Sequence, residues 1–124
     1  MRAAVVFLAA LLASGASSAE PSLYGRWARG DGVARVRIAP CGTAICAVNT
    51  WIRPGVTDEK TGDRLVMNVQ PEGARRWNGE AFDPQRDLSY RIAIAVSGKT
   101  MTTRGCVLAR LLCKSVGWTR LTGD

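Results

Sequence analysis

The side chains able to do chemistry in this 124-residue chain are four cysteines, ten carboxylates and a scatter of hydroxyls; there is no histidine. Histidine carries protons near neutral pH and is the commonest metal ligand. Its absence excludes Ser-His-Asp triads, Cys-His dyads and His-ligated metal sites. Paired carboxylates remain, and they do acid–base work when held about 5–10 Å apart. Asp58, Glu59 and Asp63 share one polar segment, and Asp83 and Asp87 share another. Acids in such segments ordinarily bond to their own turns. No Ser-x-x-Lys occurs. The sequence therefore points to no catalytic residue, no metal and no cofactor, and the protein is not expected to be an enzyme.

The cysteines point to structure. Cys41, Cys46, Cys106 and Cys113 sit in CGTAIC and CVLARLLC. Neither spacing is the C-x₂-C of a zinc site or of a redox motif. Four cysteines allow three pairings. The short separations favour two local bridges, Cys41–Cys46 and Cys106–Cys113.

The compartment follows from the start of the chain. Arg2 precedes an apolar run of 11 residues, Ala3–Ala13, and then SGASSA places Ser17 and Ala19 at −3 and −1 of a cleavage site. This is the pattern of a secretory signal peptide, and the apolar run is well short of the roughly 20 residues that span a bilayer. The expected division is residues 1–19 as a cleaved leader and residues 20–124 as a single domain. That domain would be periplasmic or secreted and not membrane-spanning, where paired cysteines are ordinary.

Beyond Arg2 there are 16 basic side chains, 13 of them Arg, against 10 acidic ones. A basic exported domain could meet an anionic envelope component. The arginines are scattered, with only Arg75 and Arg76 adjacent, so nucleic acid is not an expected partner.

The elements that must position these residues repeat every two residues. Ala34, Val36 and Ile38 alternate with Arg35 and Arg37, which predicts a half-buried strand. Leu88, Tyr90, Ile92, Ile94 and Val96 share one face of the next clear strand. Ser97-Gly98-Lys99 turns that strand into TMTTRGC, making the best hairpin in the chain. Shorter runs at Tyr24–Arg29, Ile45–Arg53, Arg64–Val69, Arg76–Phe82 and Ser115–Leu121 are separated by Gly and Pro. Val107–Leu112 reads equally as a short helical turn or a constrained loop. Pro54–Asp63 reads as the longest loop. About eight short strands with no long helix make an all-β, small antiparallel barrel, stapled by two disulfides. Closure removes the unpaired edges an open sheet would leave. An eight-stranded interior is just filled by side chains or holds one small ligand, so any cavity is expected to be small.

Two sets of residues stand out on this frame. Gly25-Arg26-Trp27 near the start and Trp118-Thr119-Arg120 near the end would meet when a barrel closes, with a guanidinium stacked on an indole. Gly25, Trp27, Trp118 and Arg120 are therefore assigned to closure, an arrangement similar to the lipocalin and calycin pattern. Trp51, Trp77, Phe82, Tyr90 and Met101 are candidate walls of an apolar cup.

In order, the chain carries GxW (25–27), I-x-x-C-G (38–42), Ile45-Cys46, Trp51, W-x-G (77–79), F-D-P (82–84), Tyr90, R-G-C (104–106) and W-T-R (118–120). Together these resemble the bacterial exported proteins of domain-of-unknown-function family 2147, over nearly all of the chain past the leader. The resemblance implies a small lipocalin-like β-barrel in the cell envelope, with no particular activity. The expected function is binding of a small apolar or anionic ligand. The alternative is an interaction module with a filled core that contacts an anionic partner through a basic surface such as Arg35, Arg37 and Arg91.

Overall fold

A computed structural model describes residues 22–122, and the expected leader (residues 1–19) lies outside them. Eight strands follow one another: β1 (Gly25–Arg29), β2 (Ala34–Cys41), β3 (Ala44–Ile52), β4 (Arg64–Pro71), β5 (Arg76–Asp83), β6 (Leu88–Ser97), β7 (Thr100–Val107) and β8 (Leu112–Arg120). Each pairs antiparallel with its neighbours, and β8 returns to β1, so the sheet closes as a barrel. The closing register sets Trp27 opposite Arg120, Ala28 opposite Thr119 and Arg29 opposite Trp118. The expected all-β barrel of eight strands is the observed fold.

Alternation places the core. Val36 and Ile38 on β2, Met67 on β4, Ala81 on β5, and Ile92, Ile94 and Val96 on β6 are buried in one cluster with Trp27 and Met101. On β2 the neighbours on the other face, Arg35 and Arg37, are exposed.

Both disulfides are the local pairs: Cys41 with Cys46, Cα atoms 5.7 Å apart, and Cys106 with Cys113, Cα atoms 4.0 Å apart. Cys106 and Cys113 stand directly opposite each other on β7 and β8. That cross-strand pairing decides the segment between them. Val107–Leu112 is a hairpin turn rather than a helical one, and β8 begins at Leu112. Each bridge closes a short loop and should contribute about 2 kcal/mol by the chain-entropy account. Reducing both is expected to lower the urea midpoint of unfolding while leaving the far-ultraviolet β signature intact. Unfolding on reduction alone would show that the barrel depends on them.

The two ends of the barrel differ. One end is plugged. Residues 22–24 cross the barrel base, and Leu23 is buried in the core. The Trp27 indole Nε1 donates to the Leu23 carbonyl at 3.0 Å. The Arg120 guanidinium lies over the Trp27 ring, 4.2 Å from its centroid. It also donates to the carbonyls of Tyr24 at 2.9 Å and Ser22 at 2.7 Å. The glycine of GxW belongs to the same construction. Gly25 has φ +124°, and a Cβ there would meet the Arg120 guanidinium at 3.1 Å. The other end carries the β1–β2, β3–β4, β5–β6 and β7–β8 connections and is open.

Candidate functional site

The open end leads into a cavity of about 780 Å³, larger than the sequence led one to expect. The reason is small residues at inward positions in the upper half. Ala47 on β3 and Thr103 and Gly105 on β7 line it where larger side chains would fill it. The wall is otherwise aliphatic and aromatic, with Ile38, Leu65, Met67, Ile92, Ile94 and Val116 prominent. Two aromatic residues carry polar atoms in this wall. Trp118 Nε1 donates to Thr103 Oγ1 at 3.0 Å. The Tyr90 phenol has no hydrogen-bond partner among the described residues. Burial pushes its pKa above the ordinary value, with the Asp83 carboxylate adding to the shift and Arg86 opposing it. It therefore stays protonated as a donor. Gly105 makes room for that ring, because a Cβ there would sit 2.8 Å from it.

The candidate wall residues divide. Tyr90 and Met101 line the cavity. Trp77 packs against the core cluster, opposite Pro71 and Ile94, and does not line the cavity. Phe82 shares the outward side of β5 with Glu80 and is 38% exposed. Trp51 lies outside because of a bulge. Arg35 pairs with Trp51 but Val36 pairs with Asn49, so Thr50 is an extra residue in β3. Ile45, Ala47 and Asn49 point inward, and in unbroken alternation residue 51 would follow them. One extra residue reverses the phase. The indole then sits on the outer surface, with the Arg35 guanidinium 4.8 Å from its centroid. Among the four residues assigned to closure, Gly25, Trp27 and Arg120 form the plug, whereas Trp118 lines the cavity.

The rim is charged and cross-tied. Arg29, at the end of β1, donates to both carboxylate oxygens of Glu59 at 3.0 and 2.5 Å and to Asp31 at 3.1 Å. Arg29 and Glu59 side chains are only 17% and 20% exposed. The hydrogen bonds that Arg29 donates to Glu59 raise its pKa against the opposing effect of burial. This pair holds the β3–β4 loop against the barrel. The loop is fixed further where the Asn49 side chain donates to the Lys60 carbonyl at 3.2 Å. Arg86 ties the β5–β6 turn to the same loop by donating to the Asp58 carbonyl at 2.5 Å. Gln85 bridges to both backbone groups of Arg64. These contacts account for Asp83 and Glu59 as structural acids. Asp58, Asp63 and Asp87 were the other acids open to acid–base chemistry. Asp63 accepts from the Lys60 amide at 3.0 Å, and Asp87 has φ 52° in the β5–β6 turn. Among the described residues no group of three or more Cys, Asp or Glu is placed to hold a metal.

Asp83 makes part of this rim sensitive to acid. Burial alone would raise its pKa. Hydrogen bonds from the side chains of Arg86 and Gln85 and from the Arg86 amide outweigh that and hold it below the usual carboxylate value. A depressed carboxyl contributes stability that is complete above its unfolded pKa of about 3.9 and lost as pH falls through the folded value. Urea midpoints should therefore fall below about pH 4, and Asp83→Asn should flatten that dependence. An unchanged acid limb in the variant would assign the loss to other carboxyls.

Lys114 escaped the sequence reading. It shares the inward side of β8 with Val116 and Trp118, lines the cavity mouth, and has no carboxylate partner among the described residues. The two-residue spacing from Val116 and Trp118 was the available signal.

A closed, eight-stranded up-and-down barrel, plugged at one end and hollow at the other, defines the class. Residues 25–120 match the family described as "Uncharacterized protein conserved in bacteria", domain of unknown function 2147. The chain belongs to that family. No curated protein and no solved structure matches it significantly. The W-x-G, R-G-C and GxW elements that carried the resemblance now have physical reasons in Gly79, Gly105 and Gly25, each set against a close neighbour.

Proposed function

We propose that the protein is an exported, periplasmic barrel that binds a small apolar or anionic ligand in its cavity and catalyses no reaction. The observation that carries this reading is the apolar cavity of about 780 Å³, within the size range of small-molecule sites. Lys114 at its mouth and the Tyr90 hydroxyl in its wall supply polar contacts for the head of an amphipathic anion. The filled-core alternative requires an interior without such space. Export is supported by the leader pattern and by the two disulfides, which persist in oxidising compartments. No helix among the described residues is long and apolar enough to cross a membrane.

The test is native mass spectrometry of the protein recovered from the periplasm, together with titration by an apolar anionic fluorophore. Co-purified mass, and fluorophore binding reduced at least tenfold by Ala47→Phe at unchanged fold, are the expected results. A clean apo mass with no fluorophore binding would sink the reading.

A further inference from the structure

The β7–β8 tip is built at odds with its surroundings. Leu108, Leu111 and Leu112 are 70%, 84% and 62% exposed, the most exposed large apolar side chains among the described residues. Leu108 and Leu111 are the ends of a four-residue turn closed by a Leu111 amide to Leu108 carbonyl bond of 3.0 Å, and Leu112 follows as the first residue of β8. Leu108, Ala109 and Arg110 all have positive φ, at 54°, 56° and 73°. Left-handed backbone is disfavoured for residues with a Cβ, and Gly or Asn ordinarily takes it. Here leucine, alanine and arginine occupy it at a conformational cost. Directly behind the turn, the Cys106–Cys113 bridge clamps the two strands, so the leucines are presented on a pinned hairpin.

Along β6, β7 and β8 every charge is positive, while the neighbouring loops at this end carry Asp31, Asp58, Glu59, Asp63, Asp83 and Asp87, with Asp31 and Glu59 paired to Arg29 and Asp83 to Arg86. From Leu88 to Thr122 the chain contains no Asp or Glu, and it carries Arg91, Lys99, Arg104, Arg110, Lys114 and Arg120. Arg104, Arg110 and Lys114 are exposed on or beside the hairpin. The apolar surface also continues inward. Leu112 and Leu88, both exposed at the rim, line the cavity together with Val107 and Val116.

We infer that the β7–β8 tip is a membrane-docking element that inserts its leucines into the headgroup and acyl boundary of an anionic bilayer. Arg110 and Arg104 meet the lipid phosphates, while Lys114 faces the cavity mouth. An apolar tip flanked by Arg104 and Arg110 on its own hairpin matches that surface, where apolar insertion and attraction to anionic lipid act together. A protein partner fits less well, since leucine is under-represented among the residues that anchor protein interfaces. Docked this way, the cavity mouth faces the lipid, and an apolar ligand passes between bilayer and barrel along Leu112 and Leu88. Docking itself does not depend on the cavity being occupied.

The experiment is co-sedimentation of the oxidised protein with vesicles of equal parts phosphatidylglycerol and phosphatidylcholine, and with phosphatidylcholine alone. Binding to the anionic vesicles that weakens with salt, and little binding to the neutral ones, is expected. Leu108→Ser/Leu111→Ser should weaken binding at least tenfold and Arg110→Gln about fivefold, both with unchanged melting temperature and unchanged fluorophore uptake by the cavity. The inference is overturned by any of three results: no binding to the anionic vesicles, equal binding by the serine variant, or a wild-type dimer that the serine variant dissolves.

Discussion

Replacing Gly79 with alanine is expected to destabilise the barrel by about 3 kcal/mol or more, at the upper end of overpacking effects. Gly79 is the glycine of W-x-G on β5, paired with Val69 on β4 and Ile92 on β6. A Cβ there would lie 2.1 Å from the Asn68 carbonyl oxygen, 2.8 Å from the Val69 Cα and 3.0 Å from the Asn68 carbonyl carbon. All three are backbone atoms of β4, so no side-chain rotation relieves the clash. The strands must separate, which loosens the β4–β5 ladder. A domain of this size has about 5–15 kcal/mol of stability in total, so the loss is a large part of it. Gly117→Ala is the control, because a Cβ there meets nothing within 4 Å; it should shift stability by no more than about 0.5 kcal/mol. Urea unfolding of both variants gives the comparison. Equal losses at the two sites would refute backbone crowding as the cause.

Trp27→Ala should be as severe, at about 3–5 kcal/mol. The Trp27 side chain is fully buried, at 0% exposure. Its removal leaves a cavity at the barrel base, strands the Leu23 carbonyl without its indole donor, and takes the ring from beneath Arg120. The plug formed by residues 22–24 then keeps only the Arg120 hydrogen bonds to Ser22 and Tyr24, so it should loosen. Trp27→Phe retains most of the packing and loses the indole hydrogen bond, a difference of about 1 kcal/mol. A faster amide hydrogen exchange at Leu23 and Tyr24 in Trp27→Ala, with the open end unaffected, would locate the damage. Uniform loosening of the whole barrel would argue against a separable plug.

Much of the fold was legible because strand periodicity is local. The alternation of Ala34, Val36 and Ile38 with Arg35 and Arg37 reports burial directly, and it survives in the structure unchanged. The close spacing of the cysteines likewise favoured their pairing. The wall of the cavity was less legible, for equally physical reasons. Trp51 is aromatic and on a strand, yet the bulge at Thr50 turns it outward. Phe82 was read for its size, yet the β5 register gives the inward side to Ala81. Lys114 has no role in the sequence pattern, although its strand faces it to the cavity mouth. Residue type ranks burial only on average; register decides it in a closed sheet.

The sequence by itself determined the all-β class, the approximate strand boundaries, the family, and the Trp27–Arg120 pairing at one end. These follow from short-range patterns, turn chemistry and a motif order spread along the chain. Only the tertiary structure decided that the other end is hollow, that Arg29 and Glu59 tie a distant loop across its rim, and that three leucines and their cations stand together at its lip. The first two depend on which residues of distant strands and loops share a side of the barrel; the third depends on the left-handed β7–β8 turn that leaves its leucines in the open. Which residues share a side is fixed by closure and by a single-residue bulge, and neither leaves a periodic mark in the sequence.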